Sequence, residues 1–261
     1  MKVLFVGDIF ARSGRRAVHE GLPSVLRDER PDVVVMNGEN AAGGNGITRE
    51  IFDELLAAGA DAVTMGNHTW DQRDILTFID EEGRLVRPAN YPPGTPGQGS
   101  VILSVGKERL LIMNLMGRVF SASHLEDPFA TADALLESYG SEAGAVLVDM
   151  HAETTSEKRA LFYHLDGRVA AVVGTHTHVM TADLEISDAG TAFITDVGMT
   201  GPKDSVIGVK KELVVRKFLT QLPVRFEAAT GSWQLNAVSI TVEGGRAKEA
   251  HVIRVCEETD R

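Results

Sequence analysis

The sequence predicts an α/β protein with a largely parallel β-sheet, and two observations support this prediction. Short apolar runs alternate with amphipathic stretches from residue 3 onward, which is the pattern of successive βα units. The chain has 261 residues, of which 43% are hydrophobic, so it can bury a large core without disulfides or a structural metal. Because no repeat, low-complexity tract or linker interrupts the chain, we expect a single domain over residues 1–261 that contains two sheets.

Five short apolar runs are the predicted strands of the βα units, and they cover residues 3–6, 33–36, 62–65, 145–149 and 169–173. The amphipathic segments around them predict helices at 14–26, 49–58, 73–80, 130–139 and 156–164. Ser13 and Thr48 are the expected side-chain caps of the first two helices. A second set of strands is expected at 101–105 and 110–114. Near the C-terminus, residues 235–242 and 247–255 alternate around a Gly244-Gly245 turn, which predicts a hairpin.

The charge balance and the cysteine count limit the classes of function. The chain has 26 Lys and Arg residues against 37 Asp and Glu residues, a formal net charge of −11. Long nucleic acid is bound mainly through basic side chains, so it is not an expected partner, whereas a small phosphate ester can be held through a metal ion. Cys256 is the single cysteine, and neither a signal-peptide pattern nor a run of about 18 apolar residues is present. We therefore expect a cytoplasmic protein without a disulfide or a membrane span.

Side chains that can bind metal follow each of the five predicted strands. They are Asp8; Glu39 and Asn40; Asn67 and His68; His151; and His176 and His178. In open α/β sheets, ligands bind at the carboxyl ends of the strands, so these residues are expected to converge although they lie far apart in sequence. Glycines at 7, 38, 66 and 174 allow the backbone to turn sharply and to approach the site closely.

The mixture of ligand types indicates which metals suit the site. Carboxylate, amide and imidazole groups together favour iron, manganese or zinc over calcium or magnesium, which prefer oxygen ligands. His176 and His178, two positions apart after an apolar strand, are expected to lie on one side of an extended segment. Leaving His68 aside, seven ligands are too many for one ion and suitable for two.

These residues, in this order, resemble the motifs of the calcineurin-like metallophosphoesterases, D-x-H, G-D, G-N-H-[DE], H and G-H-x-H. Two departures narrow the resemblance: Phe10 stands at the family's first histidine, and Glu39-Asn40 stands at its bridging aspartate. Together with G-D-I-F, N-G-E-N-A-A-G-G-N-G-I-T, G-N-H-T-W-D and D-V-G-M-T-G-P at 196–202, they resemble the YmdB-type bacterial branch, known as 2′,3′-cyclic-nucleotide phosphodiesterases. The similarity covers nearly the whole chain. It implies a four-layer αββα sandwich of two mixed sheets and a two-iron centre.

The resemblance also implies a role for each site residue. Asp8, Glu39, Asn40 and His178 would hold the first metal, and Glu39, Asn67, His151 and His176 the second, so that Glu39 bridges the two. A hydroxide shared by the two ions would attack phosphorus, and His68 would donate a proton to the leaving oxygen. Asp71 is a candidate to orient the His68 ring. Iron is the first expectation for both ions, with manganese or zinc as alternatives.

Three functions fit these residues. The first is hydrolysis of small cyclic nucleotides, 2′,3′-cyclic ones by the resemblance, to 3′-nucleotides by a metal-dependent diester hydrolase. The second is a phosphomonoesterase or protein phosphatase with the same dimetal centre. The third is a non-catalytic metal-binding regulatory or scaffold protein, for which the loss of the histidine at Phe10 is the only support. The expected partner is a small phosphodiester, without long nucleic acid or a membrane, and a homo-oligomer is compatible with the resemblance.

Other features have competing structural interpretations. The glycine-rich segment 43–46 is favoured as a helix entry over a phosphate cradle, because it lacks the lysine of a Walker loop. The arginines at 12, 15 and 16 are favoured as a solvated helix face. Trp70 either stacks a base or belongs to the core, and residues 199–202 either line the pocket or support a subunit contact.

Overall fold

Two mixed β-sheets form the centre of the protein, whose computed structural model describes residues 1–121 and 124–257. In those residues the strands are β1 Lys2–Val6, β2 Val33–Asn37, β3 Ala62–Thr64, β4 Leu85–Val86, β5 Ser100–Val105, β6 Glu108–Met116, β7 Ala145–His151, β8 Ala171–Thr175, β9 Glu185–Ile186, β10 Ala192–Ile194, β11 Gly201–Pro202, β12 Trp233–Glu243 and β13 Arg246–Cys256. The α-helices are α1 Ala11–Glu29, α2 Arg49–Ala57, α3 Pro128–Tyr139, α4 Thr155–Leu165 and α5 Lys211–Thr220. Two 3₁₀-helices cover Arg73–Thr77 and Gly140–Glu142.

Each sheet has a parallel centre and antiparallel edges. In the first sheet β1, β2, β3 and β4 are parallel, and the long strand β12 pairs antiparallel with β1, β11 and β13. In the second sheet the order is β5-β6-β7-β8-β10-β9, with the middle four strands parallel. The parallel strands bring the carboxyl ends of β1, β2 and β3 to one end of the first sheet and those of β7 and β8 to one end of the second.

Side-chain alternation in the strands divides the apolar core into three layers. In β1, Leu4 and Val6 pack with the apolar faces of α1 and α2, whereas Val3 and Phe5 pack against the second sheet. The opposite face of the second sheet packs on α3 and α4, for example through Phe162 of α4. The order of layers is helix, sheet, sheet, helix, which confirms the predicted four-layer αββα sandwich of two mixed sheets.

Several boundaries differ from the predicted ones for identifiable reasons. The first helix begins at Ala11 with Phe10 as its N-cap residue and without a side-chain cap, so the prediction of a Ser13 cap was wrong. The Thr48 cap is present, since its side chain accepts a hydrogen bond from the Ile51 N–H. Only a short 3₁₀-helix forms within the predicted helix 73–80, where Ile75 is its one buried residue and no continuous apolar face stabilises a longer helix.

Helix α5 and the short strands β9 to β11 were not predicted. Val214 is the one buried residue of α5, while Val215, Phe218 and Leu219 are exposed, so the helix lacks the periodic apolar face that marks a packed helix in sequence. Within the described ranges, no helix combines the length and the apolar character needed to cross a bilayer.

Candidate metal centre

The predicted ligands meet between the carboxyl ends of the two parallel strand sets. Ligand atoms of Glu39, His151 and His176 all lie within 4.8 Å of one another, and so do those of Asp8, Glu39 and His178. Glu39, in the loop after β2, belongs to both groups. This shared position is the arrangement expected of a carboxylate that bridges two ions.

Both carboxylates of the centre are buried, and among the described residues neither lies within ion-pair distance of a lysine or an arginine. Burial, together with the charge of Asp196, raises the pKa of Asp8 from 3.8 to about 7. Burial, together with the charge of Asp8, raises the pKa of Glu39 from 4.5 to about 8. Oδ1 of Asp8 is buried without a hydrogen-bond partner. Bound cations would satisfy this oxygen and offset the cost of burying the two negative charges.

A hydrogen bond of His178 and an ion-pair contact of His176, both on the outer side of the rings, indicate which ring nitrogen can bind metal. Nδ1 of His178 lies 2.9 Å from the carbonyl oxygen of Ile207, which can only accept, so Nδ1 carries the proton and Nε2 keeps the lone pair. Nε2 of His176 lies at ion-pair distance, 3.0 Å, from Oε2 of Glu153, which favours a proton on Nε2 and a lone pair on Nδ1. Burial lowers the pKa of both rings, which favours the neutral form that binds metal.

His151 is oriented through a hydroxyl that leads to a buried carboxylate. The hydroxyl of Thr175 donates to Oδ1 of Asp149 at 2.7 Å, so its oxygen accepts the Nδ1–H of His151 at 2.9 Å. Nε2 of His151 therefore keeps a lone pair, and burial lowers the pKa of this ring well below 6.5. Thr64 also donates to Asp149, at 2.6 Å, which fixes the position of the carboxylate. Such outer contacts orient a metal ligand and raise its basicity.

The lone pairs of three side chains converge on one point. Nε2 of His151 lies 2.8 Å from Oδ1 of Asn67 and 3.0 Å from Nδ1 of His176. With the proton on Nδ1 of His151 and on Nε2 of His176, the tautomers that the outer contacts favour, all three atoms are acceptors. A divalent cation is the group that satisfies such an arrangement, so the donor set fits a metal.

Asn40 contacts the other ligand group through its amide nitrogen. Nδ2 donates to Oε1 of Glu39 at 2.7 Å and lies 3.1 Å from Nε2 of His178. Coordination through Asn40 would require its amide to rotate so that the oxygen faces the ion, because the nitrogen has no lone pair to offer.

A glycine allows the two sheets to approach each other at this site. A Cβ atom at Gly66 would lie 2.4 Å from Nε2 of His151 and 2.5 Å from Oε2 of Glu39, closer than atoms can pack. No other residue fits there without displacing both ligands. At Gly66 the backbone does approach the side chains of the site closely, as the sequence predicted for the glycines at the strand ends.

His68 stands beside the centre without belonging to either ligand group. Its backbone N–H donates to Oε2 of Glu39 at 3.0 Å, and its Nδ1 lies 2.7 Å from Oδ2 of Asp71. The ring lines a cavity of about 400 Å³ that Asn67, His151 and His176 also line. The contact with Asp71 leaves Nε2 available to a bound molecule, as a proton donor requires.

Three residues near the centre, for which the sequence allowed a functional or a structural interpretation, make structural contacts. The ring of Trp70 meets that of Tyr91 edge to face, with centroids 5.6 Å apart, and packs against the core. The ring of Phe10 is buried 5.6 Å from the ring of His178 and packs against that histidine. Arg15 donates to the carbonyl oxygen of Ala41 and pairs with Glu54, as expected for a helix face rather than a phosphate site.

A buried ion pair supports the histidine loop and was not anticipated. Nζ of Lys158 lies 2.9 Å from Oδ2 of Asp196 and 2.7 Å from the carbonyl oxygen of Thr175, with both charged side chains fully buried. Asp196 also accepts the backbone N–H of Thr177. His176, next to Thr177, has a φ of 99°, a conformation that non-glycine residues rarely adopt. The ion pair thus holds a strained loop that carries two ligands.

Comparisons with known proteins agree with this geometry. The profile of the family described as YmdB-like protein matches residues 4–255. A Bacillus subtilis (strain 168) protein named 2′,3′-cyclic-nucleotide 2′-phosphodiesterase is 46% identical over 260 residues, covering 100% of this chain and 98% of that protein.

Two crystal structures share the fold and much of the sequence. A hypothetical protein from Thermus thermophilus is 47% identical with a TM-score of 0.94, covering 99% of this chain and 100% of that one. A novel phosphatase from Mycoplasma pneumoniae is 35% identical with a TM-score of 0.93, covering 99% of this chain and 94% of that one. The motifs, the αββα layers and these relatives together establish that the chain belongs to the YmdB-like protein family.

Proposed function

We propose that the protein is a metal-dependent phosphodiesterase that hydrolyses 2′,3′-cyclic nucleotides to 3′-nucleotides, with His68 as the proton donor. The observation that carries this proposal is the convergence of two ligand groups on Glu39 beside a cavity that His68 lines. The substrate class is taken from the name of the Bacillus subtilis relative. The single cysteine, Cys256, agrees with a reducing compartment such as the cytoplasm.

The two ligand groups would hold two cations. Glu39, Asn67, His151 and His176 would hold one, and Asp8, Glu39, Asn40 and His178 the other. Two such ions supply a water of lowered pKa and neutralise the charge that develops on the phosphoryl oxygens. Iron remains the first proposal for both, with manganese and zinc as alternatives, because the mixed donor set accepts all three.

The side chains of the protein account for the fate of the leaving group. As the oxygen of a water molecule bonds to phosphorus, the P–O2′ bond breaks and its electron pair stays on O2′ of the ribose. The protonated ring of His68 donates from Nε2 to that oxygen. One proton of the attacking water is lost to solvent as the water is activated, the other is lost as the phosphate product ionises, and a proton from solvent restores the protonated ring of His68. Asp71, 2.7 Å from Nδ1, stabilises the protonated ring and holds its orientation.

Product analysis tests the proposal directly. Protein reconstituted with iron, manganese or zinc is incubated with adenosine 2′,3′-cyclic phosphate, and the products are separated by chromatography. We expect adenosine 3′-phosphate, no activity after metal removal, and faster turnover of a bis-aryl than of a mono-aryl phosphate ester. Faster turnover of the monoester would favour the phosphomonoesterase alternative. Absence of turnover with every metal would favour the non-catalytic alternative.

A further inference from the structure

An exposed aromatic ring stands at the cavity that His68 lines. Phe120 is 87% exposed, the highest value among the large apolar side chains that the structure describes. Val119 beside it is 46% exposed, and both residues line the cavity together with Asn67 and His68. The Phe120 ring gains almost nothing from packing in the free protein, as expected of an apolar side chain that a bound ligand covers.

The segment that carries Phe120 is anchored at its base. The backbone N–H groups of Arg118 and Val119 donate to the carboxylate of Glu157 in α4, at 2.9 and 3.4 Å. The N–H of Ser121 donates to the carbonyl oxygen of Arg118 at 3.2 Å, which closes a turn. The ring is therefore presented from a turn fixed to the outer helix layer.

The backbone of Phe120 is strained within this turn. Its φ is 61°, in the left-handed region where glycine or asparagine is usual and an aromatic residue is uncommon. Strained residues of this kind concentrate at sites that bind ligands, because the surrounding structure must hold them in place. The hydrogen bonds to Glu157 provide such support.

The direction of bond cleavage places the nucleoside in the cavity that His68 and Phe120 line, and this step rests on the proposed function. If His68 protonates O2′, the ribose that carries O2′ lies next to His68, and the base attached to that ribose extends into the same cavity. A second cavity of about 240 Å³ opens beside His178, and neither His68 nor Asn67 lines it. A base lying there would leave O2′ away from the proton donor.

We infer that Phe120 is the platform on which the nucleobase of the substrate stacks, with Val119 extending the apolar surface. Aromatic side chains stack on all four bases because every base has a π-face, so this contact adds affinity without selecting one base. Purines offer the larger face and gain more from it than pyrimidines. The platform makes the protein a better catalyst for nucleotides than for cyclic phosphates that lack a base.

Two substrates with the same reacting group test this inference. Adenosine 2′,3′-cyclic phosphate and methyl riboside 2,3-cyclic phosphate differ only in the base, so the ratio of their kcat/KM values measures what the base contributes. For Phe120→Ala we expect this ratio to fall about 5- to 150-fold, mainly through a higher KM for the nucleotide. Phe120→Trp should retain the ratio, and Phe120→Leu should lose most of it although it keeps an apolar side chain.

Controls separate the outcomes. Phe218→Ala removes another exposed aromatic ring, one on α5 that lines neither cavity, and should leave the ratio unchanged. Thermal unfolding and metal content establish that each variant is folded and loaded. A Phe120→Ala enzyme with an unchanged ratio, or a wild-type enzyme with equal kcat/KM on both substrates, would overturn the inference. A wild-type enzyme inactive on both substrates would instead overturn the proposed function.

Discussion

Nε2 of His151 lies 2.8 Å from Oδ1 of Asn67, on the side of the ring that faces the candidate metal centre. The hydrogen bonds from His151 through Thr175 to Asp149 favour a proton on Nδ1, the ring nitrogen on the opposite side from Asn67, and in that tautomer Nε2 and Oδ1 of Asn67 are both acceptors. Contacts of this kind are unfavourable in a buried site unless a cation lies between the acceptors. The protein therefore has a site arranged for metal before any ion binds.

Replacement of His68 by alanine should slow the proposed reaction without loss of metal. The ring belongs to neither candidate ligand group, so its removal should take away the proposed proton donation and leave metal binding intact. We expect kcat on a cyclic nucleotide to fall by about 10²- to 10⁴-fold. An ester with a nitrophenyl leaving group should lose far less, since that oxygen leaves without a proton. Full activity of His68→Ala on the nucleotide would exclude the donor role. Asp71→Asn should lower kcat on the nucleotide as well, by a smaller factor.

Loss of the hydroxyl that orients His151 should weaken metal binding. In Thr175→Val the His151 ring loses its link to Asp149, and metal affinity should fall about 10- to 100-fold. Thr64→Val is a matched control, because it also removes one hydrogen bond to Asp149, at a similar cost of about 1 kcal/mol in the free energy of unfolding. It does not contact His151 and should leave metal affinity unchanged. Equal affinities for the two variants in competition with a chelator would contradict the orienting role of Thr175.

The positions of the candidate ligands were predictable because parallel strands bring their carboxyl ends together. Asp8, Glu39 and His151 follow or end β1, β2 and β7, so their strand-end positions alone indicated a common site. The αββα layering was implied by the family resemblance rather than by periodicity. Strand patterns alone indicated two sheets but not how the sheets stack.

Substitution of Lys158 by methionine should destabilise the fold strongly. The change would leave Asp196 buried without its cation, a loss of about 3–5 kcal/mol in the free energy of unfolding. Lys211→Met serves as the control, because Lys211 pairs with Asp204 on the surface, where ion pairs contribute little. Denaturant unfolding of both variants measures the difference. Similar stabilities for the two would show that the buried pair is dispensable.

The roles of Lys158 and Glu153 could not be identified from sequence because their partners lie far away along the chain. Lys158 lies on a helix, where a lysine is normally exposed, and it pairs with a residue 38 positions away. Glu153 follows the β7 strand end but resembles any exposed acid of a loop until His176 is placed beside it. Contacts of this kind follow from packing between layers, which local patterns do not encode.

Metal binding should release protons, and more of them at lower pH. In the metal-free protein the pKa values of Asp8 and Glu39 are about 7 and about 8, so both carboxyl groups are largely protonated near pH 6 and must ionise to bind metal. Apparent metal affinity should therefore rise with pH. Calorimetric titration with manganese in buffers of different ionisation enthalpy measures the released protons. Equal release at about pH 6 and pH 9 would contradict the raised pKa values.

The same pKa values set the sign of the stability change in the metal-free protein. Both folded-state values lie above 3.8 and 4.5, so the folded chain holds more protons than the unfolded chain, and its free energy of unfolding falls as pH rises toward 8. The lowered pKa values of the histidines oppose this trend only below about 6.5. Burial also raises the pKa of Asp149 to about 7, so thermal unfolding from about pH 6.5 to 8.5 reports all three carboxyl groups, and bound metal should reduce the fall by the share of Asp8 and Glu39.

Metal stoichiometry of the wild-type protein and of Glu39→Gln tests the shared role of Glu39 most directly. Metal-stripped protein is loaded with manganese, passed through a desalting column, and analysed for bound ions per chain and for activity on a cyclic nucleotide. We predict two ions per chain for the wild type, and for Glu39→Gln a lower content with activity reduced by more than about 100-fold, since an amide cannot bridge two cations as a carboxylate does. Two ions per chain with undiminished activity in Glu39→Gln, or a fully active wild type with a single ion, would contradict a centre built on this bridge.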